Sequence, residues 1–370
     1  MKKHTAAALV LVSLLAACSS MDDSRQAEQR PLSATEGRAR VSRLLPDSVK
    51  DRNAWATDIY AAFAALELAP TTENICATIA ITSQESGFQA DPPVPGLAGI
   101  ARKEIIRRGE VAGVPAFAIE AAMALPSGNG KSYSERLNAV KTEQQLSDIY
   151  EDLIGRLPFG HALLADRNPV RTGGPMQVSI AFAEAHSADK PYPYPVAGGL
   201  RNEVFTRRGG MYFGIAHLLD YTAPYAQLLY RFADFNAGQY ASRNAAFQKA
   251  LTELSGLPLE LDGDLLRYEE GRPAATAGST ERALRVMARR MDMGEDAIRR
   301  DLELEKLQRF EKTRLYTRVF ELADRLGRPF PRAVLPQIPL SSPKITRKLT
   351  SEWFASRVDA RHQACMKRSA

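Results

Sequence analysis

Residues 71–88 read TTENICATIAITSQESGF, and this stretch decides how the chain folds. Either of its two leading threonines can cap a helix. The apolar residues that follow recur at the three- and four-residue spacing of one helix face. We therefore predict a helix that runs as far as Glu85 and ends at Gly87. This places the carboxyl group of Glu85 at the end of a largely apolar helix.

Helical spacing continues along most of the chain, and no convincing run of alternating residues indicates a strand. Segments rich in Gly and Pro separate the predicted helices, and residues 271–278 are the best candidate for a domain boundary. The sequence thus predicts a mostly α fold, with a helical domain over 41–270 and a basic helical extension over 271–370. The later predicted helices are 116–124, 135–157, 176–186, 212–219, 241–254, 281–291, 295–323 with a break near Glu311, and 346–358.

The first 17 residues have the form of a secretory signal. Lys2 and Lys3 precede an apolar run that is too short to span a bilayer. The run ends in Leu15-Ala16-Ala17-Cys18, which resembles the lipobox of bacterial lipoproteins. That resemblance implies cleavage before Cys18, lipid such as palmitate on this cysteine, and delivery to the outer membrane, since Ser19 follows it. An ordinary signal peptide with an incidental cysteine is the alternative.

Residues 18–40 are polar, and we predict a flexible tether between the lipid and the folded body. The chain has a net charge of +6, and its basic excess lies late, with 21 Lys and Arg against 12 Asp and Glu over residues 281–370. In the cell envelope such a surface would attract anionic glycan-peptide or lipid headgroups, and nucleic acid is not an expected partner there. A solvated basic helix face with no partner is the alternative.

Cys76 and Cys365 remain once Cys18 is assigned to the lipid. The periplasm and the cell surface are oxidising, so a disulfide between the two is expected. It would tie the C-terminal tail to the helix that carries Glu85. Two buried thiols that lie far apart are the alternative. The five histidines show no metal-ligand spacing and the chain has no C-x-x-C motif, so neither a metal nor a cofactor is predicted.

Two later segments follow Glu85 in a fixed order, Gly-Pro-Met-Gln-Val at 174–178 and Phe-Asn-Ala-Gly at 235–238. With Glu85-Ser86-Gly87-Phe88 they resemble the E-S-x-F, G-L-M-Q and Y-N-A-G segments of lytic transglycosylases, which are lysozyme-like enzymes that cut the glycan strands of peptidoglycan. The resemblance implies a lysozyme-like helical domain in which Glu85 is the general acid and base. The residues that it implies for the substrate groove are Ser86, Gly174, Met176, Gln177, Phe235 and Asn236.

The gap between the first two segments is far longer than in that family, so we predict a helical insertion over about 91–172. Arg171, at its end, is a candidate to bind an anionic stem peptide, or else a structural ion-pair partner. True hydrolysis would require a second carboxylate, such as Asp91 or Asp234. A degenerate cleft that binds glycan or peptide without cleaving it, as an accessory to uptake for example, is a further alternative.

Four longer segments, at 49–52, 168–177, 230–238 and 342–347, resemble the YaiW-like outer-membrane lipoproteins. This second resemblance covers almost the whole chain. It implies a lipid-anchored protein on the periplasmic face or at the cell surface. That family has no settled biochemical activity, so the chemistry depends on the three short segments alone.

Overall fold

The computed structural model describes residues 32–269, 271–327, 329–340 and 349–369. These residues are mostly helical, which confirms the predicted mostly α class. The predicted signal peptide, Cys18, most of the predicted tether and the family-like segment 342–347 lie outside the described residues. Among the helices that are described, none has the length and apolar character needed to cross a bilayer.

The N-terminal part of the described chain consists of helices joined by short turns, with a small antiparallel hairpin between the eighth and ninth. In the hairpin, β1 (Thr172–Gly173) pairs with β2 (Val178–Ser179). The helices are α1 (Ala34–Leu44), α2 (Arg52–Ala65), α3 (Thr72–Glu85), α4 (Leu97–Val111), α5 (Ala116–Met123), α6 (Tyr133–Ala139), α7 (Glu143–Gly155), α8 (Gly160–Leu164), α9 (Ile180–Asp189), α10 (Leu200–Val204), α11 (Arg207–Leu219) and α12 (Leu228–Ala237), with a 3-10 turn at Ala165–Arg167.

The C-terminal part adds five helices and two further two-stranded ladders. The ladders pair β3 (Tyr268–Glu269) with β4 (Arg272–Pro273) and β5 (Pro339–Leu340) with β6 (Leu349–Thr350), both antiparallel. The helices are α13 (Ala241–Ser255), α14 (Ser279–Met291), α15 (Glu295–Leu302), α16 (Arg314–Asp324) and α17 (Ser351–Lys367), with a 3-10 turn at Gln308–Lys312.

Side-chain caps decide where several helices begin. Ser33 and Glu36 form a reciprocal capping box, so α1 starts inside the segment predicted as tether. Thr71 caps α3 through the backbone of Asn74. Thr142 starts α7 in the same way, and for this reason the helix predicted over 135–157 is two helices. The segment predicted as a helix over 295–323 consists of α15, a 3-10 turn and α16, and the 3-10 turn contains Glu311, near which a break is predicted.

The buried apolar side chains form two clusters. The first gathers residues of α1 to α7, the hairpin, α9 to α12 and α17, and the second gathers α13 to α16. The predicted boundary near residue 270 therefore does not coincide with the packing. The apolar stripe of α13, with Phe247 and Leu251, faces the second cluster. Phe354 and Val358 of α17, at the end of the chain, return to the first.

Helix α11 is the centre of the first cluster. All of its residues from Gly209 to Leu219 except His217 are buried, and it packs on α2, α3, α12 and β2. Two glycines allow the hairpin to approach it. A Cβ atom at Gly210 would lie 2.3 Å from Cδ of Pro175, and one at Gly214 would lie 2.4 Å from Sδ of Met176.

The C-terminal helix α17 packs on α3 and α12 and is covalently tied to α3 by a disulfide between Cys76 and Cys365. Both cysteines are fully buried. The Arg368 guanidinium, just beyond α17, donates to the carbonyl oxygen of Leu44 at 3.0 Å. The chain end is thereby held against the helix that carries Glu85.

We expect a Cys76→Ser, Cys365→Ser double variant to lower the free energy of unfolding by about 2–5 kcal/mol, because the disulfide restricts the unfolded chain. Urea unfolding followed by circular dichroism measures this in protein lacking residues 1–18, which keeps every described residue. A reducing agent should destabilise the parent by a similar amount and leave the variant unchanged. A parent that is insensitive to reduction would contradict the prediction.

We also expect Gly210→Ala to destabilise the protein by about 1–3 kcal/mol, because the added methyl group meets Pro175 and the carbonyl oxygen of Val204. Gly99→Ala is the matched control, since a Cβ atom there meets nothing within 4 Å. The control should leave stability unchanged or raise it by up to about 1 kcal/mol. Equal effects of the two variants in urea unfolding would show that the contact of α11 with the hairpin is not tight.

Candidate functional site

Glu85 is the last residue of α3, which is buried along most of its length, and the residue itself is partly buried. Burial raises the pKa of the Glu85 carboxyl to about 7, and the negative charge of Glu143 contributes in the same direction. At neutral pH the Glu85 carboxyl therefore holds a proton much more readily than an ordinary glutamate does. A carboxylic acid in this state can donate a proton in one step of a reaction and accept one in the next.

The residues after Glu85 form a tight turn that ends α3. The buried Ser86 hydroxyl donates to the carbonyl oxygen of Thr82 (3.1 Å) and accepts from the backbone N–H of Gln89 (3.3 Å). Gly87 and Phe88 both adopt left-handed backbone conformations. The Phe88 ring packs edge-on against Trp55, at 5.2 Å between centroids. The Ser86 hydroxyl is thus used within the protein, where it fixes the turn beside Glu85.

The hairpin segment 174–178 is held rigidly against α11. Gly174 has a φ of 76°, and a Cβ atom there would lie 2.1 Å from the carbonyl oxygen of Val204. The side-chain amide of Gln177 donates to the carbonyl oxygen of Gly174 at 3.2 Å. Met176, which the resemblance predicts for the groove, is fully buried against Gly214. Its thioether fills the space that the glycine leaves in α11.

The third predicted segment ends α12. Phe235 is only 9% exposed, and its ring lies 5.0 Å from that of His217. The imidazole Nε2 of His217 donates to the carbonyl oxygen of Phe235 at 3.1 Å, and burial lowers the pKa of this histidine to about 4. It is therefore neutral at pH 7. Asn236, the next residue, is exposed.

The three segments that the sequence singled out surround one helix. Helix α11 contacts α3, β2 and α12, and the Thr82 hydroxyl of α3 lies 3.7 Å from Sδ of Met211 in α11. Glu85, the hairpin and Asn236 thus project from three elements that share a packing partner. Tertiary packing gives these segments, which are distant in sequence, fixed relative positions.

The predicted insertion adds a carboxylate beside Glu85 that sequence reasoning missed. The backbone N–H of Val94 donates to the carbonyl oxygen of Lys141 at 2.8 Å, and Pro93 and Thr142 form an isolated antiparallel bridge. These contacts hold the start of α7, with Glu143 as its first residue, against the segment that follows α3. No spacing rule relates Glu143 to Glu85. The capping box at Thr142 marks only the start of a helix.

The two carboxylates proposed from the sequence as water-positioning groups have structural roles instead. Burial raises the pKa of Asp91, while hydrogen bonds with the Thr142 side chain and the Gln144 backbone oppose this shift, so Asp91 caps the start of α7. Asp234 is fully buried and accepts from the Tyr221 and Tyr225 hydroxyls and from the backbone N–H groups of residues 240 and 242. Asp234 therefore fixes the turn between α12 and α13.

A cleft of about 520 Å³ runs beside the hairpin, between α7, α8 and α9. Arg171, Ser179 and Arg201 contribute to its walls. A smaller cleft of about 240 Å³ lies between α6 and α7, and Asp148 lines both. Neither of these two clefts includes Glu85. Residues of the predicted insertion therefore line both clefts.

Glu85, the hairpin, the insertion and α12 all fall within residues 48–368, which match the model of the family described as "Protein of unknown function (DUF1615)". The chain belongs to this family. It is similar to the "Uncharacterized protein YaiW" of Escherichia coli (strain K12), with 52% identity over 360 residues, which are 97% of each chain. This similarity confirms the predicted membership of the YaiW-like family. No solved structure matches the chain.

We expect Glu143→Gln to lower the pKa of Glu85 from about 7, because it removes a nearby negative charge. Burial is the larger cause and remains in the variant, so the pKa should stay above the ordinary value of 4.5. The carboxyl ¹³C shift measured against pH in glutamate-labelled protein reports it, and a Glu85→Gln spectrum assigns the signal. Glu253→Gln on α13 is the control and should leave the pKa at its parent value. An unchanged pKa in Glu143→Gln would rule out the electrostatic coupling.

Proposed function

We propose that the protein is an outer-membrane lipoprotein that binds the glycan strands of peptidoglycan and cleaves them as a lytic transglycosylase. The observation that carries the proposal is the Glu85 carboxyl, partly buried at the end of α3 with its pKa raised to about 7. An acid in this state is suited to protonate a glycosidic oxygen at neutral pH.

The arrangement around α11 supports a lysozyme-like core. The acid-bearing helix α3, the hairpin with Gln177 and the helix that ends at Asn236 all pack on this one helix. These are the three segments that resemble the motifs of lytic transglycosylases, and they occur in the order found in that family. The insertion of α4 to α8 lies between the first two segments, and its helices pack chiefly on one another.

One acid suffices for this reaction. Glu85 protonates the bridging oxygen as the bond to C1 of the N-acetylmuramyl residue breaks. The resulting carboxylate then takes the proton of the 6-hydroxyl of the same sugar, and the 6-oxygen bonds to C1 to close a 1,6-anhydro ring. Glu85 ends in its starting state and no water is consumed. The internal hydrogen bonds of Asp91 and Asp234 favour this route over hydrolysis with a second carboxylate.

A cell-envelope location fits this substrate. Lipid on Cys18 would hold the helical body close to the outer membrane, and peptidoglycan lies beneath that membrane. The buried Cys76–Cys365 disulfide fits an oxidising compartment. An assignment to the periplasmic face follows from the substrate, since glycan strands are not accessible from the outer surface.

Recognition of glycan without cleavage is the second candidate, and the packing of the insertion favours it. The segment 141–144 lies against the turn after α3, next to Glu85. Met176 and Phe235 are buried, so they present little surface to a sugar. A protein with this site could hold a strand without breaking it.

Incubation of protein lacking residues 1–18 with purified sacculi, followed by mass spectrometry of the soluble products, distinguishes the two candidates. We expect anhydro-muropeptides from the parent and about 10²–10⁴-fold less from Glu85→Gln, because the variant cannot donate the proton. Release by the parent should fall as the pH rises above about 7, since the acid form of Glu85 is then lost. Glu253→Gln is the control and should act like the parent.

Hydrated reducing ends in the products would overturn the transglycosylase mechanism in favour of hydrolysis. No release by the parent, with binding to sacculi retained, would establish recognition without cleavage. Equal release from the parent and from Glu85→Gln would show that another residue is the acid.

A further inference from the structure

The 520 Å³ cleft beside the hairpin is lined by acidic and basic side chains, and several of them have no partner among the described residues. Within the part of the chain that the structure describes, the side chains of Arg171, Asp166 and Glu184 form no hydrogen bond and no ion pair. All three are exposed and line this one cleft. The volume lies in the range of small-molecule sites, roughly 300–1,000 Å³.

The back of the cleft is fixed by internal hydrogen bonds. The Arg201 guanidinium donates to the carbonyl oxygen of Val170 at 2.9 Å and lies 3.7 Å from Glu151. The buried Asn168 amide donates to the same Glu151 carboxylate at 2.8 Å, and the His161 ring lies 3.5 Å from it. These contacts make a rigid base, and the three unused charges stand at its rim. The base is thus in place before a ligand binds, whereas the three exposed side chains at the rim still lose rotamer freedom on binding.

The charge pattern selects the class of ligand. Four carboxylates, on residues 148, 151, 166 and 184, face two arginines and one histidine in the lining. A polyanion such as nucleic acid or a phosphate-rich glycolipid would meet several negative charges there. A ligand with both a carboxylate and an ammonium group fits this pattern. Its carboxylate can pair with Arg171 while its ammonium group pairs with Asp166 or Glu184.

We propose that this cleft binds the stem peptide of peptidoglycan, an inference that rests on the proposed function. In stem peptides that contain diaminopimelate, free carboxylates and one free ammonium group lie within a few residues of each other. The backbone links the cleft directly to the hairpin, because Arg171 immediately precedes β1 and its carbonyl oxygen accepts from the N–H of Ile180 at 3.0 Å. A glycan strand that lies along the hairpin near Gln177 would direct its peptide branch into the cleft.

Isothermal titration calorimetry with the tetrapeptide N-acetyl-L-Ala–γ-D-Glu–diaminopimelate–D-Ala, whose capped N-terminus leaves one ammonium group as in the stem peptide, tests the site in protein lacking residues 1–18. We expect Arg171→Ala to weaken binding by about tenfold or more, because it removes a charged hydrogen-bond donor. Arg167→Ala is the matched control, since Arg167 is exposed four positions earlier and does not line the cleft. It should bind like the parent.

A second probe tests the acidic side of the cleft. The same tetrapeptide with its side-chain amine acetylated should bind the parent more weakly, and a Glu184→Gln, Asp166→Asn double variant should bind the two peptides equally. Failure of the parent to bind the tetrapeptide would overturn the proposal. Equal weakening by Arg171→Ala and Arg167→Ala would also overturn it, because it would indicate general electrostatic attraction.

These outcomes separate the peptide site from the proposed cleavage. Tetrapeptide binding that depends on Arg171, together with no release from sacculi, would keep the peptide site and remove the transglycosylase activity. Release of anhydro-muropeptides that depends on Glu85 but not on Arg171, without tetrapeptide binding, would keep the transglycosylase activity and remove the peptide site.

Discussion

The close approach of the hairpin to helix α11 is the constraint on which the rest of the first core depends. Gly210 and Gly214 leave the space that Pro175 and Met176 occupy, and any side chain there would displace them. Because α11 also packs on α3 and α12, the same contact sets the positions of Glu85 and Asn236. The disulfide and the C-terminal helix then secure α3 from its other side. Two glycines thus position the residues of the candidate site.

The insertion changes the electrostatics of that site as well as its shape. Its helix α7 begins beside the turn after α3, where Asp91 caps it and Glu143 is its first residue. A buried acid next to a second negative charge keeps its proton to higher pH, which is the state that proton donation requires. The same helices wall a mixed-charge cleft at the far end of the insertion. Residues 91–172 therefore raise the pKa of the Glu85 carboxyl and also line a separate concave surface.

Periodicity predicted the existence of most helices but not their limits. Because an apolar helix follows Thr71 and Thr72, the sequence predicts a cap at one of them, and the structure places it at Thr71. The cap at Thr142 lies inside a longer periodic run, which hides it. The resemblance predicts Met176 in a groove, and its neighbours in sequence do not show that a glycine of α11 lies against it. Local signals reveal where a helix can start. They do not reveal which face another element will cover.

The sequence by itself determined the mostly α class, the YaiW-like family, and the helix that presents Glu85 at its end, because helical spacing and long family segments are local properties of the chain. Only the tertiary structure decided that α17 returns to the first core, that Glu143 lies near Glu85, and that Arg171 faces a cleft. Each of these depends on contacts between residues far apart along the chain. Such contacts form when apolar faces of different elements pack together. The spacing of residues in a single sequence does not show which faces these will be.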